Sequence, residues 1–430
     1  MRPAAQIRSA FDVFTEIKER HRPAAVALAD WGKAHRFAGS GDRAAIGNLV
    51  YDALRRVRSL SAQMQSDTPR AIVLAAAPRA LGIGIDAIVA GADGTAHALT
   101  PLSEEEKAGL ARTLPADTPA DILGDYPEWL GASFARAFGN DAAAEGAALA
   151  ARAPVDLRVN TLKADRDKVI KALEKFGAHA TTHSPLGVRL PAPEGRARQA
   201  NVEAETAHGR GWYEVQDEGS QIAALMAGAF AREQVLDLCA GAGGKALAFA
   251  AAMQNTGQIF AYDDDRMRLR PIFERLKRAG ARNVQVLDAA DSKGLAALGA
   301  RFDLVFVDAP CTGTGSWRRR PDAKWRLKPA ALEQRQAEQD ALLTQAASHV
   351  KPGGRLVYVT CSVLPEENGD RIEAFLAREP QFEAMPWAPI WEKQLASPPV
   401  ISANGSDTSL LLTPRQHDTD GFFVCVMRRR

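Results

Sequence analysis

Between Val235 and Val359 the chain repeats one unit: a short run rich in β-branched and aromatic residues, a turn, then a stretch with helical spacing. The runs Val235–Leu238, Gln258–Tyr262, Val284–Leu287, Leu304–Val307 and Leu356–Val359 are the candidate strands. Strands that alternate with helices are joined by crossovers, and crossovers make neighbouring strands parallel. Pro352-Gly353-Gly354 reads as a turn before the last of the five, and Phe422–Met427 as a final strand inserted beside the others. Ser397–Thr413 is rich in polar residues and proline and reads as a loop. In such an open sheet ligands bind outside the carboxyl ends of the strands, so the residues just after each run are where chemistry is to be sought.

Two of those positions hold cysteine. Cys311 stands in Asp308-Ala309-Pro310-Cys311, after the fourth run, and Cys361 in Thr360-Cys361-Ser362, after the fifth. A lone cysteine is usually a small buried hydrophobe, which is the reading for Cys425. Two thiols at neighbouring strand ends can face one pocket. After the first run comes a glycine turn, Cys239-Ala240-Gly241-Ala242-Gly243-Gly244-Lys245. Glycines let backbone N–H groups approach a ligand, and the N-terminus of the following helix, read over Ala246–Met253, favours negative charge. The turn is not a Walker loop, because Cys239 and Ala246 stand where that motif needs Gly and Ser or Thr. It also lacks the third glycine of the dinucleotide pattern. Asp263 ends the second run, about 20 residues after the turn, where an acid can bind ribose hydroxyls. Arg268 is a further cofactor-binding candidate. Asp288 ends the third run near where an adenine edge would lie, and Asp308 ends the fourth. A cofactor turn beside paired thiols points to covalent catalysis on an electrophilic ring.

The rest of the chain divides by pattern. Residues 1–150 read as helical: Ile7, Ala10, Phe11, Phe14 and Ile17 keep helical spacing, as do apolar residues over Ala44–Leu60. Ser103 and Glu106 form a capping box, and Tyr126–Leu130 opens another helix. Residues 151–210 alternate differently, with strands at Val155–Asn160 and Gly187–Leu190 around a helix at Arg166–Phe176. A third part, 211–430, carries the repeating units. The 54 basic and 52 acidic side chains nearly cancel, so only local charge speaks to partners. Arg318, Arg319, Arg320, Lys324, Arg326 and Lys328 face a single acid, Asp322, with Trp317 and Trp325 interleaved. Basic groups neutralise phosphates and aromatics stack on bases, so this stretch reads as an RNA contact. The four cysteines have no metal-ligand spacing and no disulfide framework. Neither a secretory h-region nor an apolar run of 18 residues occurs. The expectation is a reduced, cytoplasmic monomer without metal or membrane span.

These segments together resemble the RsmB-type family of RNA (cytosine-5)-methyltransferases. The resemblance rests on Asp237-Leu-Cys-Ala through Gly-Gly-Lys245, Asp308-Ala-Pro-Cys311, Arg318–Trp325, Thr360-Cys-Ser-Val-Leu-Pro-Glu-Glu-Asn368 and Asp420-Gly-Phe-Phe423. It implies a Rossmann-like class I methyltransferase domain with a mostly parallel α/β sheet over 211–430. A small α+β RNA-recognition-like unit at 151–210 and an all-α RNA-binding domain similar to the antitermination factor NusB at 1–150 would precede it. It also implies S-adenosylmethionine as cofactor, held by residues 239–245 with Asp263, Arg268, Asp288 and Asp308, and RNA, 16S ribosomal RNA in particular, as substrate. Gly241-Ala242 replaces the family's usual Ala-Pro, and Ala246 its usual Thr.

The residues alone leave open which cysteine attacks. DNA cytosine-5 methyltransferases use the cysteine of a Pro-Cys pair, which would nominate Cys311. The RsmB-type resemblance instead implies Cys361 as nucleophile, Cys311 assisting release, Asp308 on the cytosine edge and Lys245 beside them. A transfer-RNA methyltransferase, a catalytically idle RNA-binding assembly factor and a nicotinamide oxidoreductase are the competing readings.

Overall fold

A computed structural model describes residues 1–430. The chain forms two compact units. The first is Met1–Ala153 together with Ala192–Gln199 and Trp317–Leu327; the second is Pro154–Pro191, Ala200–Ser316 and Lys328–Arg430.

The first unit is helical. Its opening helix, Pro3–Arg20, has proline in the first turn, where a missing N–H costs nothing, and buries Ile7, Ala10, Val13, Phe14 and Ile17. The stretch expected as one helix over Ala44–Leu60 is two, Ser40–Arg55 and Val57–Met64, broken at Arg56, whose φ of −130° is not helical. The capping box of Ser103 and Glu106 is formed in both directions. The basic stretch after Cys311 belongs to this unit. Trp317 is 1% exposed, with its ring 6.1 Å from that of Phe134. Trp325 Nε1 donates to Leu54 O at 2.6 Å, and Lys324 Nζ donates to Arg55 O at 2.8 Å. The reading of Trp317 as a base-stacking platform is thereby corrected, because its ring is buried; Trp325 is half-buried, packed against the helical core. Arg152 likewise fastens residues 192–199, donating to Pro193 O and Gly195 O at 2.8 and 2.9 Å while clasping Asp52 with two bonds.

The second unit holds two sheets. The smaller contains β1 (Val155–Val159), β2 (His179–Ala180), β3 (Gly187–Leu190) and β4 (Tyr213–Val215), in the antiparallel order β2-β3-β1-β4. Asp156 of β1 receives two bonds from Arg189 of β3, at 2.7 and 2.8 Å. The larger contains β5 (Gln234–Asp237), β6 (Gln258–Ala261), β7 (Val284–Val286), β8 (Phe302–Asp308), β9 (Val350–Thr360), β10 (Phe382–Ala384), β11 (Leu410–Leu412) and β12 (Phe422–Arg429). Its order is β10-β12-β9-β8-β5-β6-β7, with β11 on β12. The strands β5 to β9 pair in parallel, and β12 runs antiparallel beside β9. Successive strands leave β5 on one side as β6 and β7, and on the other as β8 and β9. The switch point therefore lies at the carboxyl ends of β5 and β8, where an open sheet has its crevice.

Two sequence expectations change here. Pro352–Gly354 lies inside β9 rather than ahead of it, as a bulge: the register jumps from Phe302↔Val350 to Leu304↔Arg355. The loop expected over Ser397–Thr413 contains β11, whose Leu411 N–H is held by the Ser402 hydroxyl at 2.8 Å.

Candidate active site

Strands β8 and β9 are neighbours in register, Asp308 opposite Val359, so the loops that follow them leave the sheet side by side. This brings Cys311 and Cys361 together, sulfur to sulfur at 3.4 Å. Both are partly exposed. The Cys311 thiol is pushed well above the usual cysteine range, first by its hydrogen bond to Cys361, then by burial and by the charges of Cys361 and Glu367. Cys311 is accordingly held in its protonated form. Further along this loop Gly315 touches Gly421: a Cβ there would lie 2.2 Å from the Gly421 carbonyl oxygen. The Gly421 N–H donates to Gly315 O at 2.9 Å, so the Asp420–Phe423 segment backs the Cys311 loop.

Asp308, at the end of β8, accepts from Lys245 Nζ at 2.8 Å, and the same ammonium donates to Ser220 Oγ at 2.8 Å. The lysine is buried, while the Asp308 side chain is 30% exposed. A carboxylate fixed by a buried cation and open on its other side is preorganised to accept a hydrogen bond from a ligand.

The glycine turn leads from β5 into the helix Gly244–Ala252. Gly243 takes φ +83°, and a Cβ on it would meet Ile272 at 2.4 Å, so no other residue fits. Asp263 shapes the turn from the end of β6: its two oxygens accept from Gly241 N and Asp265 N, each at 2.9 Å. Asp237, the last residue of β5, is wholly buried, and neither carboxylate oxygen has a side-chain hydrogen bond. Burial, then the neighbouring Asp308 charge, pushes it up to about 7. A buried carboxylate beneath a glycine turn suits a cationic ligand, and the sulfonium and ammonium groups of S-adenosylmethionine are cations. Past β6 and β7 opens a cavity of about 640 Å³, lined among others by Met267, Arg270, Phe273, Leu287 and Asp288. Its size and mixed lining suit a nucleoside.

Of the residues expected from sequence, 239–245, Asp263, Asp308, Cys311 and Cys361 gather at the carboxyl ends of β5, β6, β8 and β9, and Asp288 lies in the cavity wall. Burial and the Asp263 and Asp237 charges push the Cys239 thiol well up. Arg268 is not in the cavity wall; it is ion-paired with Asp265 at 3.5 Å and about half exposed. Its neighbours Arg266 and Arg270 take the wall instead, because the short helix Arg266–Leu269 turns position 268 away. Ser220, Asp237, Phe273 and Glu367 escaped sequence reasoning as site residues. Two of them carried a signal: Asp237, an acid ending an apolar strand just before the glycine turn, and Glu367, within the Thr360–Asn368 segment. No helix is long and apolar enough to cross a membrane, and no three His, Cys, Asp or Glu side chains are grouped to hold a metal.

Known proteins match this arrangement. Residues 226–428 match the 16S rRNA methyltransferase RsmB/F family, and residues 126–195 the ferredoxin-like domain of RsmF/B-like methyltransferases. The probable ribosomal RNA small subunit methyltransferase B of Synechocystis sp. is 31% identical over 71% of this chain and 67% of its own length. The ribosomal RNA small subunit methyltransferase B of Cronobacter sakazakii is 36% identical over 60% of this chain and 59% of its own. The match thus spans about three fifths to two thirds of these curated relatives. The crystal structure of a methyltransferase homolog protein from Pyrococcus horikoshii superposes with a TM-score of 0.60 at 27% identity, covering 74% of this chain and all of that one. Identity of this extent, on a sheet whose switch point carries the motifs, means that the chain belongs to the RsmB/F family of 16S rRNA methyltransferases, whose cofactor is S-adenosylmethionine.

Proposed function

We propose that the protein methylates carbon 5 of a cytosine in small-subunit ribosomal RNA through a covalent cysteine adduct. The observation that carries this reading is the sulfur pair, 3.4 Å apart beside the Asp308–Lys245 pair. S-adenosylmethionine, when bound, supplies an electrophilic methyl group; residues 240–244, Asp237, Asp263 and the cavity past β7 would hold it. Carbon 5 of cytosine is a poor nucleophile. Addition of the Cys361 thiolate at carbon 6 makes carbon 5 enamine-like, which splits one hard step into two easier ones. Asp308 accepts from the cytosine amino group and so orients the ring against the Cys361 sulfur.

Release then requires that the proton on carbon 5 leave and the carbon–sulfur bond break. Before attack, the hydrogen bond to Cys361 is the foremost cause holding Cys311 as a thiol. Once Cys361 is a thioether, that hydrogen bond is lost and the restraint falls. Cys311 can then ionise, giving its proton to solvent, and take the proton from carbon 5 as Cys361 departs. The target base must be unstacked to reach the sulfur, so a loop or single-stranded region is the expected substrate form.

The test is small-subunit rRNA incubated with S-adenosylmethionine, read by bisulfite sequencing and by denaturing gels for protein–RNA adducts. Cys361→Ala is expected to give neither 5-methylcytosine nor adduct, and Cys311→Ala to accumulate adduct. Full turnover by Cys361→Ala would overturn the assignment.

A further inference from the structure

Two adjacent residues, Glu367 and Asn368, reach the chain on both sides of both cysteines. Glu367 is fully buried in the short 3-10 turn Pro365–Glu367. Its Oε1 accepts from Thr312 N at 2.8 Å and from Gln339 Nε2 at 3.1 Å, and its Oε2 accepts from the Thr312 hydroxyl. The same Gln339 nitrogen donates to Pro310 O at 2.9 Å. Pro310 and Thr312 are the two neighbours of Cys311. Asn368 does the same for Cys361: its Oδ1 accepts from Thr360 Oγ1 at 2.6 Å, and its Nδ2 donates to Ser362 O at 2.9 Å. The turn itself is pinned to β9, because the Tyr358 hydroxyl donates to Glu367 O at 2.7 Å.

We propose that Glu367 is a positioning residue which, with Asn368, clamps the two cysteine loops and fixes the separation of their sulfurs for the release step. The inference rests on the cysteine roles proposed above. Other bonds also join the loops: Gly315 N donates to Cys361 O at 2.9 Å, and the Thr314 and Ser362 hydroxyls meet at 3.0 Å. Those begin three residues beyond Cys311, whereas the clamp holds its immediate neighbours. A buried carboxylate accepting from a backbone N–H and two side chains makes stronger bonds than a neutral acceptor would. Its charge also stands among the causes that keep Cys311 protonated, so it bears on both the distance and the ionisation of that sulfur. Gln keeps an oxygen for the Thr312 N–H and Gln339 but loses the charge, and its amide can only donate to the Thr312 hydroxyl, reversing that bond.

Two readouts test the clamp on the full-length protein. The first needs neither RNA nor cofactor: diamide oxidises Cys311 and Cys361 to a disulfide, each thiol losing one hydrogen while the diazene becomes a hydrazine, and peptide mass spectrometry follows the rate. Wild type is expected to couple fast, and Glu367→Gln and Asn368→Ala about tenfold or more slower. The second is a single turnover on RNA. Glu367→Gln is expected to form the Cys361 adduct at near wild-type rate but to release it about tenfold to a hundredfold more slowly, the scale expected for a misplaced group, with a displaced pH profile for release. Wild-type rates in both readouts would overturn the proposal. Slowed oxidation without any RNA adduct in the wild type would instead sink the cysteine roles and leave the clamp standing. If Glu367→Gln loses its folded structure by circular dichroism, Thr312→Val, which removes only one donor, must slow oxidation in the same direction; an unchanged rate would refute the clamp.

Discussion

Asp237 sits at the end of β5 with no side-chain hydrogen bond to either oxygen, a state that a buried carboxylate tolerates by holding a proton or meeting a cation. With its titration raised to about 7, the group is neutral on the acid side and charged on the alkaline side. Affinity for a cationic cofactor should therefore rise from pH 6 to pH 8, by up to about tenfold. Asp237→Asn should bind S-adenosylmethionine about tenfold more weakly at pH 8 and lose that rise, as isothermal titration at several pH values will show. The sequence marked Cys311, Cys361 and Asp308 because each directly follows an apolar strand. It could not mark Ser220 or Gln339, whose partners lie 25 and 28 positions away; nothing local distinguishes a helical serine or glutamine that meets a distant site.

At the scale of elements, the stretch Trp317–Leu327 shows burial and charge sorting within one segment: Trp317, Arg318 and Lys324 are buried, while Arg320 and Arg326 stay exposed. Lys324 is 1% exposed, its ammonium 4.8 Å from the Trp325 ring centroid, and burial pushes it down to about 7 against the opposing pull of Asp125. An unfolded lysine titrates near 10.4. Between those values the unfolded chain binds more protons than the folded one, so the wild type should gain stability as pH rises from 7 to 9. Lys324→Met lacks that gain. Relative to it, wild type should improve by on the order of 2 kcal/mol across that window, measured by denaturant melts of both proteins. The parallel strands β5, β6, β8 and β9 were readable because strands buried on both faces appear as apolar runs, and the half-exposed β7 because Val284 and Val286 alternate with Gln285. β4 and β11 have three residues each. Neither lies within the strand–turn–helix repeat, and pairing to β1 and β12 is what makes them strands.

At the scale of the whole molecule, the two units are not two halves of the sequence. The first recruits residues 192–199 and 317–327 from stretches whose flanks belong to the second. A cut at residue 153 therefore does not separate two finished bodies. A fragment 154–430 leaves Trp317 and Trp325 without Phe134 and Leu54, exposing aromatic surface of a kind that drives association. That fragment is expected to elute as aggregate on size exclusion, and Trp317→Ser with Trp325→Ser to return it toward a monomer. Sequence reading put the helical part at 1–150 because its periodicity changes there; two short inserts with no periodicity of their own were invisible to that test.

The same recruitment has a temporal side. On the ribosome the helices up to Ala153 emerge first, yet the indole of Trp317 that fills their interior follows more than 160 residues later. At ordinary rates of elongation the early helices wait on the order of ten seconds with that berth vacant. Until then they are a nascent bundle with an apolar hollow, attractive to holding chaperones, and the indole that completes them is synthesised only once the Asp308–Cys311 segment has also been made.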